Sequence, residues 1–357
     1  MNPSFWKNKK VFVTGHTGFK GAWLSAWLRL WEAELLGFSL APPTKKNLYT
    51  LIKPKKGIQS VLGDVRNLKS LSASMRRFKP EIVIHMAAQS LVKKSYEDPL
   101  TTYQTNVMGT ANLLEAIRDT KSVRSVVVVT SDKCYDENAG AKNGHLENDP
   151  MGGTDPYSSS KGCAELVVKS YRAAFFGSGT SKKHAAAIAT ARAGNVIGGG
   201  DWAENRLVPD AIRSFWGQKE MIIRNPNAIR PWQHVLEPLS GYLLLAEKLY
   251  RDGAPYAQGW NFGPKPSDAK PVSWVADRLM QLWGEGAQWK KDGAFHPKET
   301  HILKLNCSKS MSRLGWKPKM NLELALSWVV EWSRAYQDGA SMDRVTEDQI
   351  KQYLKLK

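Results

Sequence analysis

Residues 9–31 read KKVFVTGHTGFKGAWLSAWLRLW, and their pattern changes twice. A β-branched apolar run is followed by a turn with Gly15, Gly18 and Gly21, and then by apolar residues at helical spacing. This order is typical of the strand, turn and helix that open a βαβ unit. Glycines there let the backbone approach a pyrophosphate, while the helix N-terminus supplies free N–H groups and a positive dipole. The segment therefore predicts a nucleotide-binding α/β fold.

Similar strand patterns recur along the first half of the chain. They lie at residues 33–40, 57–65, 81–88, 123–132 and 186–198. Helical stretches separate most of them, which predicts a doubly wound, parallel Rossmann-type sheet covered by helices on both faces. Trp23, Trp27 and Trp31 recur every four residues on the first helix, and we expect them to pack against the sheet rather than to form a ligand platform.

The rhythm changes after GGGDW, residues 198–202, where loops lengthen and helices lose their strand partners. We therefore predict a nucleotide-binding domain over residues 1–194, completed by a return segment at residues 232–262. Residues 195–231 and 263–357 are predicted to form a smaller C-terminal substrate lobe. The 357 residues are 42% hydrophobic, which is enough for a large core.

The formal net charge of +18 raises the possibility of a nucleic-acid partner. However, the lysines form short separate pairs in loops rather than one stripe with interleaved aromatic residues. We therefore expect solvated faces, or a field that attracts a small anionic substrate, and no nucleic acid.

Two other classes of protein are disfavoured by the sequence. It contains no run of about 18 apolar residues and no signal-peptide core after its N-terminal charges, so we expect a cytoplasmic protein without a membrane partner. Cys134, Cys163 and Cys307 lack C-x-x-C spacing, so we expect free thiols and no metal site.

The glycine spacing resembles that of the extended short-chain dehydrogenase/reductase superfamily. Three further segments share this resemblance: GDV at residues 63–65, HMAAQ at residues 85–89 and TNVMGT at residues 105–110. The resemblance implies NAD as the cofactor. The residues implied to contact it are Gly15, Thr17, Gly18, Phe19, Gly21, Asp64, Val65, Ala87, Ala88, Gln89, Asn106, Tyr157 and Lys161.

One position departs from the superfamily pattern. The second strand normally ends in an acid that binds the adenosine ribose, but here it ends in FSLAPP with Ser39. We therefore expect NAD to be held loosely, with NADP as an alternative if Lys45 or Lys46 contacts the extra phosphate.

The segment DPYSSSK, residues 155–161, places Tyr157 and Lys161 four residues apart on a predicted helix, so that they share one face. An adjacent ammonium and an oxidised nicotinamide would lower the tyrosine pKa from about 10, which would make it a base near neutrality. The alternative is an ordinary exposed Tyr–Lys pair. With Ser131 the two residues resemble the Ser–Tyr–Lys set of the superfamily.

The loop TSDKCYDE, residues 130–137, contains two polar residues that this set does not need. They resemble the acid and base of nucleotide-sugar 4,6-dehydratases, with Asp132 protonating the departing C6 hydroxyl. A lysine at the second position, Lys133, resembles the CDP-glucose 4,6-dehydratases and is implied to remove the C5 proton. Oxidation at C4 makes that proton acidic, because it then lies next to a ketone. The alternative is a surface ion pair in a turn.

The resemblance to CDP-glucose 4,6-dehydratases extends over nearly the whole chain. It implies substrate contacts, in which arginine forks suit a diphosphate. The residues concerned are Gln89, Ser131, Asn195, Arg206, Arg230 and His301, while His234 and Glu237 are expected to be structural.

The implied enzyme is a lyase that converts CDP-D-glucose to CDP-4-keto-6-deoxy-D-glucose, a precursor for dideoxyhexoses and O-antigen lipopolysaccharide. Its rivals are a nucleotide-sugar 4-epimerase, a 4,6-dehydratase for another NDP-sugar, and a non-catalytic RNA-binding protein. Residues 102–117 and 156–171 have apolar helical faces, and the resemblance implies that these helices pair in a homodimer through a four-helix contact, or in a homotetramer.

Overall fold

The computed structural model describes residues 1–52, 58–136, 143–177, 184–284, 286–293 and 304–357. The strands in these ranges are β1 Lys10–Thr14, β2 Glu34–Ser39, β3 Ile58–Leu62, β4 Ile82–His85, β5 Ser125–Val129, β6 Ala187–Ala193, β7 Val196–Ile197, β8 Met221–Ile223, β9 Ile229–Pro231, β10 Gln233–His234, β11 Gly259–Phe262, β12 Ala269–Pro271 and β13 Trp289–Lys291. Within the described chain, the central sheet has seven strands in the order β3-β2-β1-β4-β5-β6-β11. Each pair of adjacent strands in this sheet is parallel.

Helices connect these strands and cover both faces of the sheet. The α-helices are α1 Pro3–Trp6, α2 Phe19–Leu30, α3 Leu48–Leu51, α4 Leu68–Phe78, α5 Val92–Glu97, α6 Pro99–Tyr103, α7 Gly109–Arg118, α8 Pro156–Phe175, α9 Leu207–Trp216, α10 Leu236–Asp252, α11 Val272–Trp283, α12 Leu322–Gln337 and α13 Met342–Lys355. None of the helices in the described part of the chain is long and apolar enough to cross a membrane.

Strand β1 shows why the sheet is doubly wound. Val11 and Val13 belong to the core beneath α2 and α10, whereas Phe12 belongs to the core beneath α4 and α7. Successive side chains of a strand point to opposite faces, so a continuous apolar run is buried on both sides. The predicted doubly wound parallel sheet is confirmed.

The three tryptophans of α2 are buried, and their contacts reach beyond the sheet. The Trp23 indole N–H donates to the Gly199 carbonyl at 2.9 Å. Trp27 packs edge-on against both Trp31 and Tyr353 of α13. Helix α2 is therefore joined to Gly199 and to helix α13 as well as to the sheet.

The second half of the chain contributes both to the sheet and to smaller pairs of strands. β11 adds an edge to the central sheet beside β6. Short pairs form between β7 and β10, β8 and β13, and β9 and β12. The division of the chain into domains at residue 194 stays a prediction.

Candidate active site

The glycine turn after β1 has a backbone that only glycine fits. Gly15 has a φ of +76°, and a Cβ there would lie 2.7 Å from the Ala87 nitrogen. A Cβ on Gly21 would lie 2.1 Å from the Gly15 carbonyl oxygen. Gly18 caps α2 without a side-chain hydrogen bond, so the capping residue does not occupy the first N–H groups of the helix. This cradle fits a diphosphate.

Strand β2 ends at Ser39, which has a hydroxyl at the position where a carboxylate usually binds the ribose. Ser39 is buried, and its hydroxyl lies 2.8 Å from that of Thr17. The Thr17 hydroxyl in turn donates to the Leu40 carbonyl at 2.9 Å. The Lys46 ammonium lies over the Trp216 ring, 5.8 Å from its centroid. The ammonium of Lys46 therefore contacts an aromatic ring.

Asp64 and Val65 follow β3. The Asp64 carboxylate accepts hydrogen bonds from the backbone N–H and the guanidinium of Arg66. These bonds lower the pKa of Asp64. Val65 is buried against Gly109, where a Cβ would come within 2.7 Å of its side chain.

The loop after β4 is held by Asn106. The Asn106 amide accepts from the Gln89 N–H at 2.9 Å and donates to the Gln89 carbonyl and to the Ser160 hydroxyl. The Gln89 side-chain amide donates to the Leu91 carbonyl and the Thr102 hydroxyl and accepts from the Leu91 N–H. Both side chains thus brace the loop that contains Ala87 and Ala88.

Tyr157 and Lys161 lie on α8, whose start is set by local sequence. The Asp155 carboxylate caps the helix by accepting from the Ser158 N–H at 3.0 Å, and Pro156 occupies the first turn. Tyr157 therefore lies in the first turn, and Lys161 lies one turn later on the same face. Both side chains are buried.

Residues 131–133 follow β5 and meet this face of α8. The Ser131 hydroxyl donates to Asp132 Oδ1 at 3.0 Å and accepts from the Lys133 N–H at 3.2 Å. The Ser131 side chain also acts on the Tyr157 phenol, whose pKa it lowers. One pocket thus contains a hydroxyl, a carboxyl, a phenol and two amines.

Asp132 is the buried acid of this pocket. Its Oδ2 atom has no hydrogen-bond partner among the described residues. A Cβ on Gly194 would lie 2.8 Å from that oxygen, so the glycine leaves room for the carboxyl. Burial raises the pKa of Asp132, against opposing effects of Lys133, Ser131, Arg230 and Lys20. The protonated, proton-donating form is therefore favoured.

Burial shifts the pKa values of Tyr157 and Lys161 in opposite directions. It raises the pKa of Tyr157 to about 12, although the Ser131 side chain opposes the rise. It lowers the pKa of Lys161 to about 8, with a further contribution from Lys20. The side chains alone therefore do not produce the lowered tyrosine pKa that we expected, because desolvation of the phenolate outweighs the stabilisation they give.

Two of the expected substrate ligands lie at the edge of this pocket. Arg206 pairs with Asp201 at 3.0 Å and donates to Ser90 at 3.2 Å. The charge of Arg206 also opposes the rise in the pKa of Tyr157, and the charge of Arg230 on β9 opposes the rise in the pKa of Asp132.

The remaining residues named from the sequence fall in three places. Asn195 is half-buried next to Gly194, and its carbonyl accepts from the Gln233 N–H at 3.0 Å. Phe19 packs against Gly198. His301 lies outside the described residues.

His234 and Glu237 lie in the core. His234 packs edge-on between Trp23 and Trp328, and burial lowers its pKa to about 3. Glu237 accepts hydrogen bonds from the Lys319 and Met320 N–H groups and from the Tyr353 hydroxyl.

The sequence reasoning missed a buried ion pair behind the pocket. Glu165 of α8 binds Arg192 of β6 at 2.7 Å and also accepts from the hydroxyls of Thr130 and Thr190. Arg192 donates to the Tyr135 hydroxyl at 2.7 Å. A charged residue in the apolar strand ATARA was the available signal. The network holds α8 and the loop after β5 together.

The sequence reasoning also missed Lys20, which follows Phe19 in the glycine turn. Its ammonium interacts electrostatically with Asp132 and Arg206, and burial lowers its pKa to about 8. Its place between two glycines of the nucleotide motif was the only signal.

Solved structures share this fold. The protein resembles a UDP-glucose 4-epimerase from Thermotoga maritima, solved with UDP-glucose, with a TM-score of 0.77 and 19% identity over 92% of this chain and 99% of that one. It also resembles a dTDP-glucose 4,6-dehydratase from Bacillus anthracis, solved with NAD, with a TM-score of 0.75 and 21% identity over 94% of this chain and 99% of that one. At such identities the likeness concerns the fold alone.

Sequence comparison is more specific. A family model described as GDP-mannose 4,6 dehydratase matches residues 12–327. A CDP-glucose 4,6-dehydratase from Salmonella typhimurium is 50% identical over 354 residues, which cover 99% of this chain and 98% of that protein. The match spans the glycine turn, the Ser131 loop and α8 alike. The chain therefore belongs to the GDP-mannose 4,6 dehydratase family.

Proposed function

We propose that this protein is a lyase that dehydrates CDP-D-glucose to CDP-4-keto-6-deoxy-D-glucose. The observation that carries the proposal is the buried Asp132 carboxyl, whose Oδ2 has no partner among the described residues, beside Ser131 and Tyr157. An enzyme that only oxidises or epimerises at C4 does not need an acid there. The substrate is taken from the Salmonella relative, which shares 50% of its residues with this chain.

The cofactor in this proposal is NAD, which fits the turn made by Gly15, Gly18 and Gly21. When bound, NAD would supply the hydride acceptor for C4 and the hydride donor for C6, so the overall reaction would be redox-neutral. The adenosine end would meet Ser39 and Asp64, and neither offers a free carboxylate to the ribose, because Asp64 is paired with Arg66. Loose binding of NAD is the expected consequence.

Tyr157 is the proposed base for the C4 hydroxyl, and Ser131 orients that hydroxyl. The pKa of Tyr157, raised to about 12 in the protein alone, must fall for this role. Lys161 on the same face of α8 is one source of positive charge, and an oxidised nicotinamide is another.

Asp132 is the proposed acid for the C6 hydroxyl, because burial already favours its protonated form. Lys133 is the proposed base for the C5 proton. Its side chain is half-buried next to Asp132, so both groups can serve one elimination.

Arg206 and Arg230 are the proposed ligands of the substrate diphosphate, since both act electrostatically on the pocket. Asn195, Gln89 and His301 are proposed as further contacts. We infer that residues 195–231 and 263–357 form the lobe that holds the sugar nucleotide, with residues 1–194 and 232–262 holding NAD.

The proposed oligomer is a homodimer. Large apolar side chains are exposed on and near α6, α7 and α8, including Leu100 at 73%, Met108 at 55% and Leu166 at 54%. Helices α6 and α7 both pack against α8, and an apolar face on such a group of helices is typical of an interface. A tetramer would need a second contact. Nucleotide sugars and NAD are cytoplasmic metabolites, which supports the expected location.

The direct test is incubation with NAD and each of CDP-, dTDP-, GDP- and UDP-glucose. We expect CDP-glucose to give the 4-keto-6-deoxy sugar, detected by its absorbance in alkali. Turnover of another nucleotide alone would change the substrate, and formation of CDP-galactose would favour the epimerase.

A further inference from the structure

The loop of residues 131–134, which carries the proposed acid, is anchored at both of its ends. Before the loop, the Thr130 hydroxyl donates to Glu165 Oε1 at 2.5 Å. After the loop, the Tyr135 hydroxyl accepts from Arg192 Nη1 at 2.7 Å. Thr130 and Tyr135 are both buried. Because Glu165 and Arg192 bind each other, one ion pair holds the residues on either side of the loop.

This ion pair has a complete set of hydrogen bonds to its carboxylate. Arg192 Nε donates to Glu165 Oε1 at 2.8 Å, and Nη2 donates to Oε2 at 2.7 Å. The Thr190 hydroxyl of β6 also donates to Oε2, at 2.7 Å. With Thr130 included, each carboxylate oxygen accepts from one hydroxyl and one guanidinium nitrogen. A buried bidentate pair of this kind fixes the orientation of both side chains.

Helix α8 joins the network on the side that bears the proposed base. Tyr157, Lys161 and Glu165 follow one another at four-residue spacing, so they lie along one side of the helix. The helix also approaches the loop directly, since a Cβ on Gly162 would lie 3.2 Å from the Cys134 carbonyl oxygen. The position of the loop relative to Tyr157 is therefore set by its packing on α8 and by the ion pair.

We propose that Thr130 and Tyr135 are positioning residues for the dehydration, which hold the loop of residues 131–134 against α8 through the ion pair of Glu165 and Arg192. The inference deepens the proposed function and rests on it, because that function assigns the proton transfers to this loop and this helix. Each of the two hydroxyls is hydrogen-bonded within the network, so we expect neither to contact the substrate. A shift of reacting groups by about 1 Å costs roughly 10²-fold in rate, so the loss of one anchor is measurable.

The test removes one hydroxyl from each oxygen of Glu165. Thr130→Val and Thr190→Val are matched, because each keeps the side-chain shape and deletes one donor to the same carboxylate. Thr130 adjoins the loop, whereas Thr190 lies within β6. We expect Thr130→Val to lower kcat for CDP-glucose at saturating NAD by roughly 10- to 100-fold, with KM unchanged. Thr190→Val should keep the wild-type kcat, although its melting temperature should fall by a similar amount.

Conservative variants separate the hydrogen bonds from packing. Thr130→Ser keeps the donor and loses only a methyl group, so it should retain most of the wild-type kcat. Tyr135→Phe removes the hydroxyl at the other end of the loop and should lower kcat with KM unchanged. Its control is Tyr353→Phe, which removes a buried hydroxyl from Glu237 and should leave kcat unchanged. Circular dichroism and thermal melting check the fold of every variant.

Equal losses of kcat in Thr130→Val and Thr190→Val would overturn the inference and leave the proposed function standing. Equal losses in Thr130→Val and Thr130→Ser would also overturn it, because packing of the methyl group would then explain the effect. If Thr130→Val failed to fold, the comparison of Tyr135→Phe with Tyr353→Phe would decide, and a wild-type kcat in Tyr135→Phe would overturn the inference. If the wild type turned over none of the four nucleotide sugars, the proposed function would fail and the inference with it.

Discussion

Asp132 and Tyr157 share one pocket, and burial raises the pKa of both groups. The consequence differs because their proposed roles are opposite. A raised pKa shifts Asp132 toward its protonated form, which is the direction that a proton donor needs. The same change opposes Tyr157 as a base, which must be overcome by positive charge. Arg206 opposes the rise in the pKa of Tyr157, whereas Lys133, Arg230 and Lys20 oppose the rise in the pKa of Asp132.

For Asp132 we predict that Asp132→Asn still permits oxidation at C4 but slows loss of the C6 hydroxyl. An amide can hydrogen-bond the leaving hydroxyl but cannot protonate it, so elimination should slow by about 10²- to 10⁴-fold. Enzyme-bound cofactor should then accumulate in its reduced form, measured by near-ultraviolet absorbance. Dehydration at the normal rate without that build-up would make the loop an ordinary turn.

For Tyr157 we predict that Tyr157→Phe folds and binds NAD but loses the first oxidation. The ring still fills its buried position, while the phenolic oxygen that would take the proton is gone. The rate should fall by about 10²- to 10⁴-fold, measured as product formed from CDP-glucose. Near wild-type turnover in the Phe variant would rule out the Tyr–Lys assignment.

At the scale of elements, α8 positions Tyr157 and Lys161, and α10 holds the C-terminal helix α13 in place. The cap by Asp155 starts α8 at Pro156, and Glu165 ties it to β6 through Arg192. Glu237 of α10 binds the Tyr353 hydroxyl of α13 at 2.9 Å and the backbone of Met320 at 2.6 Å. These buried polar contacts join segments that are distant in sequence.

Glu237 gives a prediction about stability and pH. Burial raises its pKa to about 7 from an ordinary 4.5, against the effect of its hydrogen bonds. Between these values the unfolded state has lost the proton that the folded state keeps. The free energy of unfolding should therefore fall as pH rises from about 4.5 to 7, by about 3 kcal/mol at most.

Glu237→Gln should remove this dependence, because the amide does not titrate. Urea unfolding at pH 5 and pH 8 should show the wild type losing stability relative to the variant at the higher pH. Glu34→Gln, on an exposed side chain at the start of β2, is the matched control. Parallel pH profiles for wild type and Glu237→Gln would contradict the prediction.

At the scale of the whole molecule, the apolar side chains near α6, α7 and α8 include Leu166 of α8, the helix that carries Tyr157 and Lys161, and Met108, which lies with Asn106 in the turn between α6 and α7. Dimerisation through this face would bury Leu100, Met108 and Leu166 and would brace the outer side of α8. The oligomer and the active site would then share one structural element.

We predict that Leu166→Lys converts the proposed dimer to a monomer, because an ammonium at an apolar interface is costly to desolvate. Light scattering after size exclusion would measure the mass. Leu62→Lys is the control, since Leu62 is 69% exposed at the end of the edge strand β3. A dimer that persists in Leu166→Lys but dissociates in the control would place the interface elsewhere.

The sequence by itself determined the features that depend on local periodicity. The strand–turn–helix of residues 9–31, the parallel sheet and the shared face of Tyr157 and Lys161 all follow from spacings of two or 3.6 residues. The need for glycine at Gly15 and Gly21 was likewise readable, because a tight turn between strand and helix admits no Cβ.

Only the tertiary structure decided which distant residues meet and how burial changes their chemistry. Lys20 and Asp132 follow β1 and β5 of the central sheet, whereas Arg206 precedes α9 and Arg230 lies on β9. No local pattern encodes the interactions among them. The side chain of Asn106 braces the loop at Gln89, a contact that no sequence pattern indicated. The directions of the pKa shifts also follow from desolvation, which depends on the atoms that packing brings together rather than on neighbours in the chain.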